Sequence, residues 1–167
     1  MDKKTEYKTI SKRAAVFLEK GENIDVDYKE LISGISTDDF VSFANSENGG
    51  AILIGVQDIK DSSGIQRGRI IGCAVGDSER MKLVNKAKEC TPIVEFNLII
   101  ENSAHLPFYR LEIPSGKDKP YCTPKGTYLI RGNGRNIPML LSHHIRILNY
   151  LVPIVMNRNF CQKDYYV

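Results

Sequence analysis

Residues 38–58, DDFVSFANSENGGAILIGVQD, join two periodicities in one short stretch. Phe40, Val41, Phe43 and Ala44 recur at helical intervals, Asn48, Gly49 and Gly50 supply a C-terminal stop, and Ala51 to Val56 is an apolar run of strand length. The stretch reads as a helix over 37–48 followed by a buried strand over 51–57, which delivers Gln57 and Asp58 to the edge of a core. Ser36 or Thr37 is the N-cap, and Asp38 and Asp39 occupy the first turn, where the helix dipole favours acids.

Working outward, residues 25–29 alternate, with Ile24, Val26 and Tyr28 on one face and Asp25, Asp27 and Lys29 on the solvent side. An amphipathic helix is expected over 10–20, closed by Gly21, with Ala14, Ala15, Phe17 and Leu18 inward. Downstream, residues 61–64 read as a turn, 68–74 as a strand, and the residues after Asp77 as a helix with Met81, Leu83, Val84 and Ala87 that stops near Thr91-Pro92. Residues 93–101 and 106–113 read as an antiparallel pair. A lysine-bearing loop over 114–126 leads to a strand over 127–131, and a last helix is expected over 142–156. Helix, strand, helix, strand and then a meander predict an α+β fold, a mixed and largely antiparallel sheet with helices packed against it.

At 167 residues the chain is expected to be a single domain, large enough to bury about two thirds of its unfolded surface. No apolar stretch approaches the ~20 residues of a membrane span and the start, MDKKTEYK, is charged, so a cytoplasmic protein is expected. Cys73, Cys90, Cys122 and Cys161 are scattered without a C-x-x-C pair, which argues for reduced structural thiols rather than a zinc site. The 23 Lys and Arg against 20 Asp and Glu leave a net charge of +3, too small to imply nucleic acid without a local concentration of charge. No G-x-x-x-x-G-K-(S/T) motif is present, which disfavours an ATPase.

Gly21-Glu22 with Val26-Asp27-Tyr28-Lys29, Ser42-Phe43-Ala44-Asn45 with Gly49-Gly50, Ile54-Gly55-Val56-Gln57-Asp58, Pro120-Tyr121 and Tyr128-Leu129-Ile130-Arg131-Gly132 follow one another in this order. The combination, from about residue 20 to about 135, resembles the AlbA-type DNA-binding domain found in bacterial regulators and in the Schlafen core. The resemblance implies a Schlafen-lobe fold and nucleic-acid binding. It also implies that Glu22, Asp27 and Asp58 form the site of a Mg²⁺- or Mn²⁺-dependent nuclease acting on RNA or DNA. The chain departs from the family pattern at Asn23 for Ser, Asp27 for Glu and Tyr28 for Phe, and Asp27 shortens its carboxylate arm by one methylene. The Schlafen core has two such lobes, so a homodimer through the last helix (Ile145, Leu148, Leu151) and Tyr165-Tyr166-Val167 is expected to restore a two-sided surface.

Two sets of residues are thus candidates for chemistry. Hard cations are held by a few carboxylate oxygens and water, which suits Glu22, Asp27 and Asp58. Phosphates require several cations and unpaired bases stack on aromatic faces, which suits Lys29, Lys117, Lys119, Lys125, Arg131 and Arg135 with Tyr121 and Tyr128. Each set also has a plain structural reading, as the solvent face of a strand, a charged loop and core tyrosines. The alternative function is a non-catalytic nucleotide-responsive or protein-interaction module.

Overall fold

The computed structural model describes residues 5–60, 62 and 64–139. Helix α1 (Lys12–Lys20) is capped by Ser11, whose side chain accepts from the Ala14 N–H. Strand β1 (Val26–Lys29) follows, then a single 3₁₀ turn, Ile32–Gly34, and α2 (Thr37–Asn45). The capping box of α2 uses Ser36 and Asp39: the Ser36 N–H donates to Asp39 Oδ2 at 2.8 Å.

The apolar run expected as one strand is two, β2 (Gly50–Ile54) and β3 (Val56–Lys60), divided at Gly55. Gly55 has φ 95°, its N–H donates to Lys29 O, and its carbonyl accepts from Ile71 and Gly72. A Cβ there would lie 2.8 Å from the Gly72 carbonyl carbon, so the chain turns out of the first sheet where only glycine fits. β3 instead pairs with β4 (Gln66–Ile70) in a separate ribbon. Helix α3 (Asp77–Lys88) forms where expected, with Leu83 and Ala87 buried and Met81 exposed. β5 (Asn97–Glu101) and β6 (Phe108–Ile113) form the expected antiparallel pair. β7 (Leu129–Gly132) pairs with a strand not foreseen, β8 (Arg135–Pro138), across the Asn133-Gly134 turn. The helix expected over 142–156 lies outside the described residues.

The main sheet has the order β1-β2-β6-β5. β1 and β2 are parallel across the α2 crossover, and the remaining pairs are antiparallel. β2 is central, which is why its sequence is apolar throughout. Ile52 and Ile54 enter a core with Phe40, Phe43, Leu83, Tyr109 and Leu111, whereas Leu53 joins Ala14, Val26, Tyr28, Val56 and Phe108 on the opposite face. Among the described residues no helix is long and apolar enough to cross a membrane.

One correction bears directly on the site. Asp27 alternates toward the side expected to face solvent, yet it is only 3% exposed, while Ile24, expected inside, is 52% exposed. Asp27 is covered because β7 brings Arg131, which lies over Phe43 of α2, against it.

Candidate nucleic-acid interface and the buried acidic centre

β1 carries Asp27 and β7 carries Arg131 into one buried pair. Arg131 Nη2 lies 2.6 Å from Asp27 Oδ1, with the side chains 1% and 4% exposed. The Lys29 ammonium takes the other oxygen, Oδ2, and remains partly exposed. The guanidinium lies over the Phe43 ring at 4.8 Å, and its Nη1 donates to Asn136 Oδ1 at 2.9 Å. Ser42 also donates to Asn136 Oδ1, at 2.7 Å, and the Asn136 amide donates to Asp39 Oδ1 at 2.8 Å. A continuous polar chain therefore runs from Lys29 through Asp27, Arg131 and Asn136 to the capping box of α2. Among the described residues, Arg131 Nε is the one buried side-chain polar atom without a hydrogen-bond partner.

The other two acids stand beside this chain rather than in it. Glu22 Oε1 accepts the Tyr28 N–H at 2.9 Å, which closes a backbone donor on the edge strand β1. Burial pushes the Glu22 carboxyl above its ordinary range, and the charges of Asp27 and Asp58 push it further. The Tyr28 phenol is pushed up to about 12, by burial first and then by Asp58 and Glu22. Its hydroxyl donates to Phe17 O at 2.6 Å. Asp58, on β3, is exposed and accepts from Gln66 Nε2 at 2.9 Å.

Glu22 thus feels the charges of Asp27 and Asp58, but the three acids do not converge. Among the described residues no group of three His, Cys, Asp or Glu side chains is arranged to hold a metal ion. Asp27 already has a guanidinium and an ammonium on its two oxygens, and a divalent cation would have to compete with both charges. The residues present do not fit the Mg²⁺ or Mn²⁺ site that the family resemblance implies.

The basic set also divides. Arg131 and Tyr121, expected at the nucleic-acid surface, are buried, at 3% and 5%. Asn45 explains the burial of Tyr121: its amide donates to Tyr121 O and Leu129 O, both at 2.8 Å, and its Oδ1 accepts the Tyr121 N–H. That is the bolting role open to an asparagine on α2, and it fastens the loop and β7 to the helix. Lys119 donates to Ser46 O at 2.6 Å and to Ser115 Oγ at 2.7 Å, and burial pulls its ammonium below the usual lysine range. It closes the C-terminal end of α2. Tyr128 is half-buried, whereas Lys117, Lys125 and Arg135 are exposed, the last beside the Asn133-Gly134 turn.

Sequence reasoning missed Asn136, Ser42 and Asp39 as partners of Arg131, and it missed Arg67 and Arg69, exposed on β4. The alternation in Gln66-Arg67-Gly68-Arg69-Ile70 was the available signal for the arginines. Asn-Gly at 133–134 was the signal for the hairpin that delivers Asn136.

No curated relative matches the chain. Among solved structures, the N-terminal domain of a RecG-related ATP-dependent DNA helicase protein from Nitrosomonas europaea is similar at 20% identity and TM-score 0.51. The match covers 71% of this chain and 86% of that one, and it supports the α+β fold. The DIP2311 protein of Corynebacterium diphtheriae is similar at 15% identity and TM-score 0.49, over 77% of this chain and 23% of that one. The family model for Schlafen, AlbA_2 matches residues 22–140, from Glu22 of the acidic set through the β7–β8 hairpin that supplies Arg131 and Asn136; the chain belongs to that family.

Proposed function

We propose that this protein is a nucleic-acid-binding module whose acidic centre is a structural bolt rather than a metal-dependent nuclease site. The observation that carries this reading is the occupation of both Asp27 oxygens by Arg131 and Lys29. A carboxylate neutralised in this way has little attraction left for a hard cation, and it fixes β7 to β1 instead. Family membership supports nucleic acid as the partner. Phosphate contact then falls to exposed cations, Lys117, Lys125 and Arg135, with Lys29 at the mouth of the acidic centre. Two copies would supply the two-sided surface that a single lobe lacks.

The test has two parts. Labelled DNA and RNA of mixed sequence should bind, with log affinity falling linearly as log salt rises. Mn²⁺ should shift the melting temperature of the wild-type protein and of Asp58→Ala equally, and neither should cleave nucleic acid. Absence of any nucleic-acid binding would defeat the reading. Mn²⁺-dependent cleavage lost in a folded Asp58→Ala variant would restore the nuclease alternative, for which the action of the Asp27 and Asp58 charges on Glu22 is the favouring observation.

A further inference from the structure

The β3–β4 ribbon is a sheet of its own, and α1 packs against one side of β4. Gly68, in the middle of β4, lies against Leu18 of α1 and the Tyr28 ring, so α1 backs that side. Side chains alternate along a strand, so Asp58, Lys60 and Gln66 share the side of Gly68. The register sets Gln57 opposite Arg69 and Ile59 opposite Arg67 on the other side. Arg67 and Arg69 are exposed there. The Arg69 guanidinium donates to the Gln57 amide oxygen across the ribbon. None of these four positions is acidic, and Asp58, exposed, points to the side of Gly68.

The chemistry of this face selects a partner. Arg67 and Arg69, two residues apart on one strand, leave the backbone about 7 Å from each other on one side, so their two guanidinium groups can meet neighbouring phosphates of one nucleic acid. The major groove of B-DNA, about 12 Å wide, admits a two-stranded ribbon. Arg and Gln are side chains whose paired polar atoms match guanine O6/N7 and adenine N6/N7 on its floor. The major groove of A-form RNA is too deep and narrow to be read by side chains. Holding Arg69 against Gln57 in the free protein lowers the ordering cost of docking.

We propose that the outer face of the β3–β4 ribbon docks in the major groove of duplex DNA, with Gln57, Arg67 and Arg69 making the contacts. This rests on the nucleic-acid reading above and adds to it the reading element and the class of nucleic acid.

Fluorescence anisotropy with a labelled DNA duplex and the RNA duplex of the same sequence, over a salt series, tests the proposal on the full chain. Wild-type protein should favour the DNA duplex by about tenfold or more. The double variant Arg67→Ala/Arg69→Ala should lose about tenfold or more in affinity, and its salt slope should fall by up to ~1.8, or ~0.9 for each lost phosphate contact. Circular dichroism should show its fold unchanged. Methylation protection on the wild-type complex is independent of any variant and should show guanine N7 atoms shielded. If wild-type protein binds DNA but the double variant binds equally with the same slope, or N7 stays unprotected, the ribbon proposal is overturned while the nucleic-acid reading stands. Equal affinity for the RNA duplex would overturn the choice of DNA. No binding of any nucleic acid would remove both.

Discussion

Truncating Arg131 would leave the Asp27 carboxylate, 4% exposed, with Lys29 as its remaining counter-ion. Arg131→Ala is therefore expected to destabilise the protein by about 3–5 kcal/mol, read as a fall in the urea midpoint, because removing one partner of a buried pair strands the other. Lysine would not rescue it, since one ammonium cannot reach both Asp27 and Asn136. Glu22 gives a pH test. Its folded-state affinity for a proton exceeds its unfolded one, so the native state holds the extra proton between the ordinary value of 4.5 and the raised one. Stability should therefore fall as pH rises through that window. The advantage of Glu22→Gln over wild type should grow from acid to neutral pH, and a pH-independent difference would contradict the assignment. Burial pushes the Cys90 thiol up to about 12, so iodoacetamide at neutral pH should leave it unmodified until the protein is unfolded.

At the scale of elements, the ends of α2 do more than stop a helix. Asp39 both caps the N-terminus and accepts from Asn136 on β8, whereas its neighbour Asp38 is exposed. Asp39→Ala should cost about 2–3 kcal/mol, the sum of a lost cap and a lost tertiary hydrogen bond. Asp38→Ala should stay within about 0.5 kcal/mol, as exposed substitutions usually do. Near-equal effects by chemical denaturation would deny the capping box its tertiary role. Gly55 is the corresponding hinge between β2 and β3, and alanine at its φ of 95° is expected to cost about 1–3 kcal/mol in strain alone.

At the scale of the whole molecule, pairing of two copies is the proposal to test. The residues expected to make the homodimer contact lie outside the described residues. Pairing of two copies predicts a light-scattering mass near twice 18.8 kDa at micromolar concentration. It also predicts that Leu148→Glu reduces the mass to the monomer's without unfolding the protein. A monomeric wild type would leave one ribbon per molecule and a correspondingly short DNA footprint.

Much of the fold was legible because it rests on local rules. The helical spacing of Phe40, Val41, Phe43 and Ala44, a cap at Ser36 or Thr37 with acids in the first turn, and the apolar run of β2 are properties of neighbouring residues, and each pointed to its element. The α+β class followed from their order. What the sequence could not specify was the meeting of elements distant in the chain. Period-two alternation set Asp27 toward water because nothing local announces that β7, more than a hundred residues later, will bring Arg131 to within 2.6 Å of it. The division of one apolar run at Gly55 likewise depends on Lys29, Ile71 and Gly72 converging on that residue. A carboxylate is a metal ligand, a solvent contact or half of an ion pair according to what faces it, and tertiary packing alone decides that.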